Sequence, residues 1–159
     1  MTQFIVGTCS WKYPSWEGLV YSSREPSNYL AEYATKYGTV EVDQWFWSLG
    51  KEAASLPRPE VVAEYDASTP KDFTFSIKAP NALTLTHHPG VKGEPRLNAR
   101  FLDPEFFLKF IDSLSVLMPK VGLIVFQFSY FNRQKMPSRG AFIELLRKFF
   151  RLFSFSREI

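Results

Sequence analysis

Ionisable and amide side chains recur in this chain where short β-branched or aromatic runs end. The runs are Phe4–Thr8, Thr39–Asp43, Phe73–Lys78 and Val121–Phe128, and Glu41, Asp43, Lys78 and Gln127 stand at or near their ends. A lysine among carboxylates supports more than one chemistry. Desolvated, Lys78 would serve as a Schiff-base nucleophile; paired with Glu41, it would be a fixed ammonium. Glu41 and Asp43 suit an acid/base pair, hard-oxygen ligands for Mg²⁺ or Mn²⁺, or hydrogen bonding to neighbouring strands. His87, in the loop after the third run, is a candidate general base or ligand. Trp11, Tyr13 and Trp16, with Trp45 and Trp47, offer rings that either stack a base or sugar or simply pack. Arg133 and Lys135 follow the fourth run, as phosphate contacts or as a solvated loop. Cys9 reads as a small buried residue rather than a nucleophile. Adjacent His87 and His88 lack zinc spacing. No Gly-x-Ser-x-Gly elbow, Walker loop, dinucleotide fingerprint or His-Glu-x-x-His helix occurs, so the residues name neither a cofactor nor a metal.

The elements that must position these groups alternate. Asn28–Tyr37 has helical spacing at Tyr29, Leu30, Tyr33 and Tyr37, with Gly38 as its stop. A short helix is expected over Glu60–Tyr65, and a long loop over Asn81–Arg100. Asp103 and Pro104 open a helix that runs to about Met118, where Pro119 halts it. Ser138 caps a last helix through about Phe150. Strand–helix alternation predicts parallel βαβ units in sequential order with right-handed crossovers, and in such sheets chemistry collects at the carboxyl ends of the strands. Period-two geometry puts Val40 and Val42 opposite Glu41 and Asp43, and Phe73, Phe75 and Ile77 opposite Thr74, Ser76 and Lys78. The apolar sets belong under helices, which turns Glu41, Asp43, Ser76 and Lys78 inward. Glu41 and Lys78 should then interact directly or through one water, with Trp11 or Trp16 near Asp43. Val121–Phe128 reads as a strand buried on both faces, with Gln127 on the side of Leu123 and Val125. Alternation resumes over Phe153–Ile159 and adds Glu158 to the inward set.

Composition bounds the class. A chain of 159 residues with 45% apolar and 17% aromatic content suits a single globular domain over residues 1–159. Without a signal-peptide pattern or an apolar run near membrane-spanning length, no membrane association and a cytoplasmic location are expected. A lone cysteine excludes an internal disulfide framework. Charge is uneven. Residues 1–66 hold five Lys/Arg against nine Asp/Glu, and residues 67–159 hold fourteen against seven, within a net charge of +3. The basic part admits a small phosphorylated ligand or nucleic acid as partner, or it is a solvated helix surface.

The block Val6-Gly7-Thr8-Cys9-Ser10-Trp11-Lys12-Tyr13-Pro14-Ser15-Trp16 resembles the opening of the YecE-like proteins, the domain of unknown function 72. Val40–Trp47 looks like that family's Val-Glu-Ile-Asn-Ser-Thr-Phe-Tyr strand. Phe73–Pro80 with Thr86-His87 is similar to its Phe-x-Phe-x-x-Lys-x-Pro strand and the Thr-His after it, and Phe126-Gln127-Phe128 resembles its fourth strand. Cys9-Ser10 stands for the family's Ser-Gly, Asp43 for its Asn and Trp45 for its Thr. The resemblance implies an α/β fold, a parallel β/α TIM-type barrel, of which this chain would hold about the first four βα units and the start of strand five. Such an incomplete barrel would expose sheet edges through which copies self-associate. For function, two readings follow. One is a metal-assisted hydrolase or isomerase acting at the barrel mouth on a phosphorylated or nucleic-acid substrate. There Glu41, Lys78 and His87 would be catalytic, and Trp11, Tyr13, Trp16, Asp43 and Gln127 would bind substrate. The other is a noncatalytic nucleic-acid or anion-binding module, or an inactive shortened copy.

Overall fold

A computed structural model describes residues 4–50, 53–89 and 96–153. Its sheet has four parallel strands in the order β1 (Gly7–Cys9), β2 (Thr39–Val42), β3 (Thr74–Lys78) and β4 (Val121–Val125). Between and after them lie α1 (Tyr29–Ala34), α2 (Pro59–Ala67), α3 (Asn81–Thr84), α4 (Pro104–Ser113) and α5 (Arg139–Arg151). The outward face of the sheet is the core. Val40, Val42, Phe75 and Ile77 are buried there with Leu30 and Tyr33 of α1, Val62 and Tyr65 of α2, and Phe110 of α4. Burying each such side chain is worth roughly 1.5–3 kcal/mol, which explains why β-branched and aromatic residues alternate with polar ones along β2 and β3.

Local chemistry sets the helix starts. The side chains of Asn28, Asp103 and Ser138 accept from the amides of Ala31, Glu105 and Ala141, so each closes an otherwise open first turn. Pro59 and Pro104 occupy first-turn positions where no backbone donor is needed.

Four expectations are corrected. β1 begins at Gly7, and Phe4, Ile5 and Val6 precede it in exposed positions. The segment after β3 is not a bare loop: it contains α3 and is tied by two buried amides. Asn81 Oδ1 accepts from the Ser48 and Leu49 amides at 3.1 and 2.7 Å, and Asn98 Nδ2 donates to the carbonyls of Ala82 and Leu85 at 2.7 and 2.6 Å. Helix α4 ends at Ser113 rather than near Met118, because the chain tightens into i→i+3 turns. Leu114 and Leu117, three apart, are thereby both fully buried. Finally, β4 stops at Val125 and is not buried on both faces, since Leu123 remains 57% exposed on the inner side.

β1 and β2 approach closely at Gly7. A Cβ there would lie 2.0 Å from the Thr39 carbonyl oxygen, so only glycine allows the pairing. Between β3 and β4 the register shifts at Phe75/Ser76, leaving Gly122 as the extra residue. That irregularity carries Leu123 opposite Ser76 and Val125 opposite Lys78, on the inner face.

Candidate functional site at the carboxyl ends of the strands

The inner face converges on one polar cluster. Cys9 and Glu41 are in register on β1 and β2, and Glu41 is in register with Ser76 on β3. Lys78, two residues further along β3, reaches back so that its Nζ lies 3.1 Å from Glu41 Oε1, with side chains 17% and 29% exposed. Asp43 follows β2 at the start of a 3₁₀ turn, Gln44–Phe46. The Cys9 thiol donates to Asp43 Oδ2 at 3.7 Å, and Lys78 Nζ lies 4.0 Å from the sulfur.

This neighbourhood sets the protonation states. Burial alone would raise the Glu41 carboxyl, but the Cys9 thiol, whose single proton Glu41 and Asp43 compete for, and the Lys78 ammonium prevail and hold it below the ordinary carboxylate range. Its hydrogen bond to Glu41 raises Lys78 against a smaller opposing effect of burial. Burial, the hydrogen bond to Glu41 and the negative charges of Asp43 and Glu41 together push Cys9 up to about 11, with Lys78 opposing. At neutral pH the cluster is therefore a carboxylate, an ammonium and a protonated thiol. With its Nζ 3.1 Å from Glu41 Oε1, Lys78 is the ion-pair partner of that carboxylate. Cys9 is exposed, contrary to expectation, and its raised pKa leaves it a hydrogen-bond donor.

The remaining candidates lie in different places. Trp11 is only 7% exposed and packs edge-on to Tyr65 at 5.0 Å, which is the packing alternative for this ring. Its ring is needed by the core, and Tyr21 holds the turn by donating to the Trp11 carbonyl. Tyr13 and Trp16 lie against each other at 4.6 Å in the loop after β1, and the Tyr13 hydroxyl donates to the Cys9 carbonyl at 3.0 Å. That contact attaches the aromatic loop to the polar cluster. His87 bonds through Nδ1 with Thr86 Oγ1 at 3.0 Å and bridges to Leu97. Among the described residues no hydrogen bond joins it to Glu41, Asp43 or Lys78. Gln127 lies two residues beyond β4, exposed. Glu158 and the expected start of strand five lie outside the described residues. His88 ties two loops through its Nδ1 and the Gly50 carbonyl at 3.1 Å.

Among the described residues no three His, Cys, Asp or Glu side chains converge as a metal site. Glu41 and Asp43 still provide two carboxylates, a protein share that Mg²⁺ accepts when phosphate and water complete its shell. No helix of the described residues is long and apolar enough to cross a membrane.

Parallel strands in sequential order, helices packed on one face and polar groups gathered at the carboxyl ends define a β/α protein of the TIM-barrel type. The chain belongs to the family described as protein of unknown function DUF72, whose pattern it matches over residues 5–157. It is 27% identical over 142 residues to the UPF0759 protein YecE of Escherichia coli K12, a match covering 89% of this chain and 43% of that protein. The corresponding protein of Escherichia coli O157:H7 gives the same figures. The chain thus spans less than half the length of the curated relatives it matches. Crystal structures of DUF72 family proteins share the fold. One from Enterococcus faecalis V583 has a TM-score of 0.57 at 20% identity, over 91% of this chain and 46% of that one. One from Thermotoga maritima MSB8 has a TM-score of 0.54 at 21% identity, over 91% and 51%.

Proposed function

We propose that this chain carries the acid–base half of a barrel-mouth enzyme, a metal-assisted hydrolase or isomerase acting on a phosphorylated small molecule. The observation that carries this reading is the Glu41–Lys78 pair at 3.1 Å, set on adjacent strands at their carboxyl ends beside Cys9 and Asp43. In it, Glu41 is the base: a carboxylate kept ionised by its neighbours takes a proton from a substrate carbon or from water. Lys78 holds that carboxylate in place and, once the proton moves, stabilises negative charge on the substrate. A divalent cation shared by Asp43 and the substrate phosphate would neutralise charge at the same mouth. Arg133 and Arg139, which line a cavity of about 620 Å³ after β4 on this same end of the sheet, favour a phosphate.

The test is a thermal-shift and turnover screen of phosphorylated metabolites with and without Mn²⁺. It uses the 159-residue chain and a full-length relative, each also as Glu41→Gln and Lys78→Met or their equivalents. For a ligand turned over by the parent, Glu41→Gln should retain binding and lose activity by about 10²–10⁴-fold, the share a positioned base supplies. Turnover that survives both substitutions overturns the reading. Binding that is steeply salt-dependent and indifferent to Glu41→Gln would instead establish the noncatalytic anion-binding module.

A further inference from the structure

A second concavity, of about 670 Å³, opens between the loops that follow β1 and β2. None of Cys9, Glu41, Asp43 and Lys78 lines it, although Ser10 and Gln44, the residues after Cys9 and Asp43, do, so it adjoins the acid–base cluster without sharing its side chains. Its size lies within the range of small-molecule sites. Its floor is a locked set of rings. Trp45 stacks on Tyr65 at 5.4 Å with 26° between planes, and Trp11 meets the same Tyr65 edge-on. The Gln44 amide donates to the Tyr65 hydroxyl and fixes that ring from the side. Trp45 is only partly buried, and it is a rigid, preordered surface for a planar ligand.

The rim is cationic. Lys12 and Arg58 both line the cleft in exposed positions, and among the described residues neither forms an ion pair. Lys12 Nζ instead lies 5.8 Å from the centre of the Tyr29 ring. Glu64 is the single carboxylate among the lining residues. The chain enters this cleft through a strained turn: Ser10 has φ 61°, the left-handed region, in a residue with a side chain. Bonds from the Ser10 amide to the Glu41 carbonyl at 2.9 Å and from Thr8 Oγ1 to the Ser10 carbonyl at 2.6 Å hold it there. Strain of this kind persists only where the surroundings enforce it, and here it sends Cys9 to the inner cluster and Trp11 and Lys12 to the cleft.

We infer that the cleft binds a ring-bearing anion of the nucleoside monophosphate class, its base stacked on Trp45 and its phosphate held between Lys12 and Arg58. Ring stacking and charge neutralisation are supplied by different residues, so a ligand with only one of these features engages half of the site. The inference does not require Glu41 or Lys78 to be catalytic.

Isothermal titration and tryptophan fluorescence on the whole chain provide the test, with AMP, CMP, GMP and UMP as probes beside ribose 5-phosphate and inorganic phosphate. At least one nucleotide should quench fluorescence and bind at least about tenfold more tightly than either ringless phosphate. The Lys12→Ala/Arg58→Ala double variant should weaken that binding by about tenfold or more with an unchanged melting temperature, because both side chains are exposed. Lys78→Met should leave it as it is. Nucleotides that bind no better than inorganic phosphate, or a double variant that binds like the parent, overturn the inference. Loss of binding in Lys78→Met alone also overturns it, by moving the ligand to the acid–base cluster, and leaves the proposed function standing.

Discussion

Glu41 and Lys78 show how two residues on adjacent strands settle each other's charge. The carboxyl is held below its ordinary 4.5 and the amine above its ordinary 10.5. A depressed carboxylate stabilises the fold above its unfolded pKa and loses that contribution as pH falls through the folded value; a raised lysine does so below its unfolded pKa and loses it as pH rises. The pair should therefore contribute fully between about pH 4.5 and 10.5, and fade beyond both ends. Lys78→Met is expected to cost about 1–2 kcal/mol at pH 7, between the exposed and buried regimes. Urea midpoints across pH check this: the difference from the parent should be flat in that window and shrink outside it. Cys9 offers an independent probe. With its thiol at about 11, alkylation by iodoacetamide at pH 8 should run roughly tenfold or more below that of the unfolded chain. Glu41→Gln removes an acceptor and a charge, so it should bring the thiol down and speed the reaction. A parent rate equal to the unfolded rate would show that the carboxylates do not act on the sulfur.

Elements are joined by a few polar groups placed where helix ends meet strand beginnings. Lys120 precedes β4, yet its Nζ donates to the carbonyls of Asp66 and Thr69 at 2.6 and 2.9 Å and ion-pairs with Asp66 at 2.9 Å. It thereby closes the C-terminal end of α2, where a cation is favoured. Its side chain is 9% exposed while that of Asp66 is 35% exposed, so Lys120→Met should leave part-buried acceptors short of a donor and cost about 1–3 kcal/mol in urea unfolding. The glycines separate by the same logic. Gly7→Ala forces a Cβ onto the Thr39 carbonyl and should cost about 1–3 kcal/mol. At Gly140 in the first turn of α5 an added Cβ meets only ordinary contact at 3.8 Å. Gly140→Ala should stabilise by up to about 0.5–1 kcal/mol. If both changes cost alike, the close approach of β1 to β2 is not what excludes a side chain at Gly7.

At the scale of the whole molecule, β1 and β4 each pair on one side only among the described strands. The inner face carries Glu41 and Lys78 but also the exposed Leu123. Unpaired backbone edges and apolar surface of this kind recruit further strands. The isolated 159-residue chain is therefore expected to self-associate. Light scattering should report species larger than the 18.4 kDa monomer, and the melting temperature should rise with protein concentration. A monodisperse monomer with a concentration-independent, cooperative melt would show that the four-stranded sheet is sufficient by itself.

Period-two alternation on β2 and β3 was enough to place Glu41 and Lys78 on one face and Val40, Val42, Phe75 and Ile77 on the other, because a strand gives its side chains only two directions. Asp103 with Pro104, and Ser138, likewise marked where α4 and α5 begin, since such signals act within a few residues. What the sequence could not display was any relation formed by distant residues. Asn81 organises the segment after β3 by accepting from amides of the loop after β2, and Asn98 by donating to the carbonyls of Ala82 and Leu85 earlier in the same segment, so their spacing carries no period. Cys9 lies in the cluster only because β1 pairs with β2 in that register, and Trp11 is buried only because α2 brings Tyr65 beneath it. The cleft bounded by Lys12, Trp45 and Arg58 exists only once two loops meet across the ends of neighbouring strands. Local geometry, set by each residue's own backbone and its nearest neighbours, belongs to the sequence. The meeting of segments tens of residues apart is decided by the burial of one shared core, and that is a property of the tertiary structure alone.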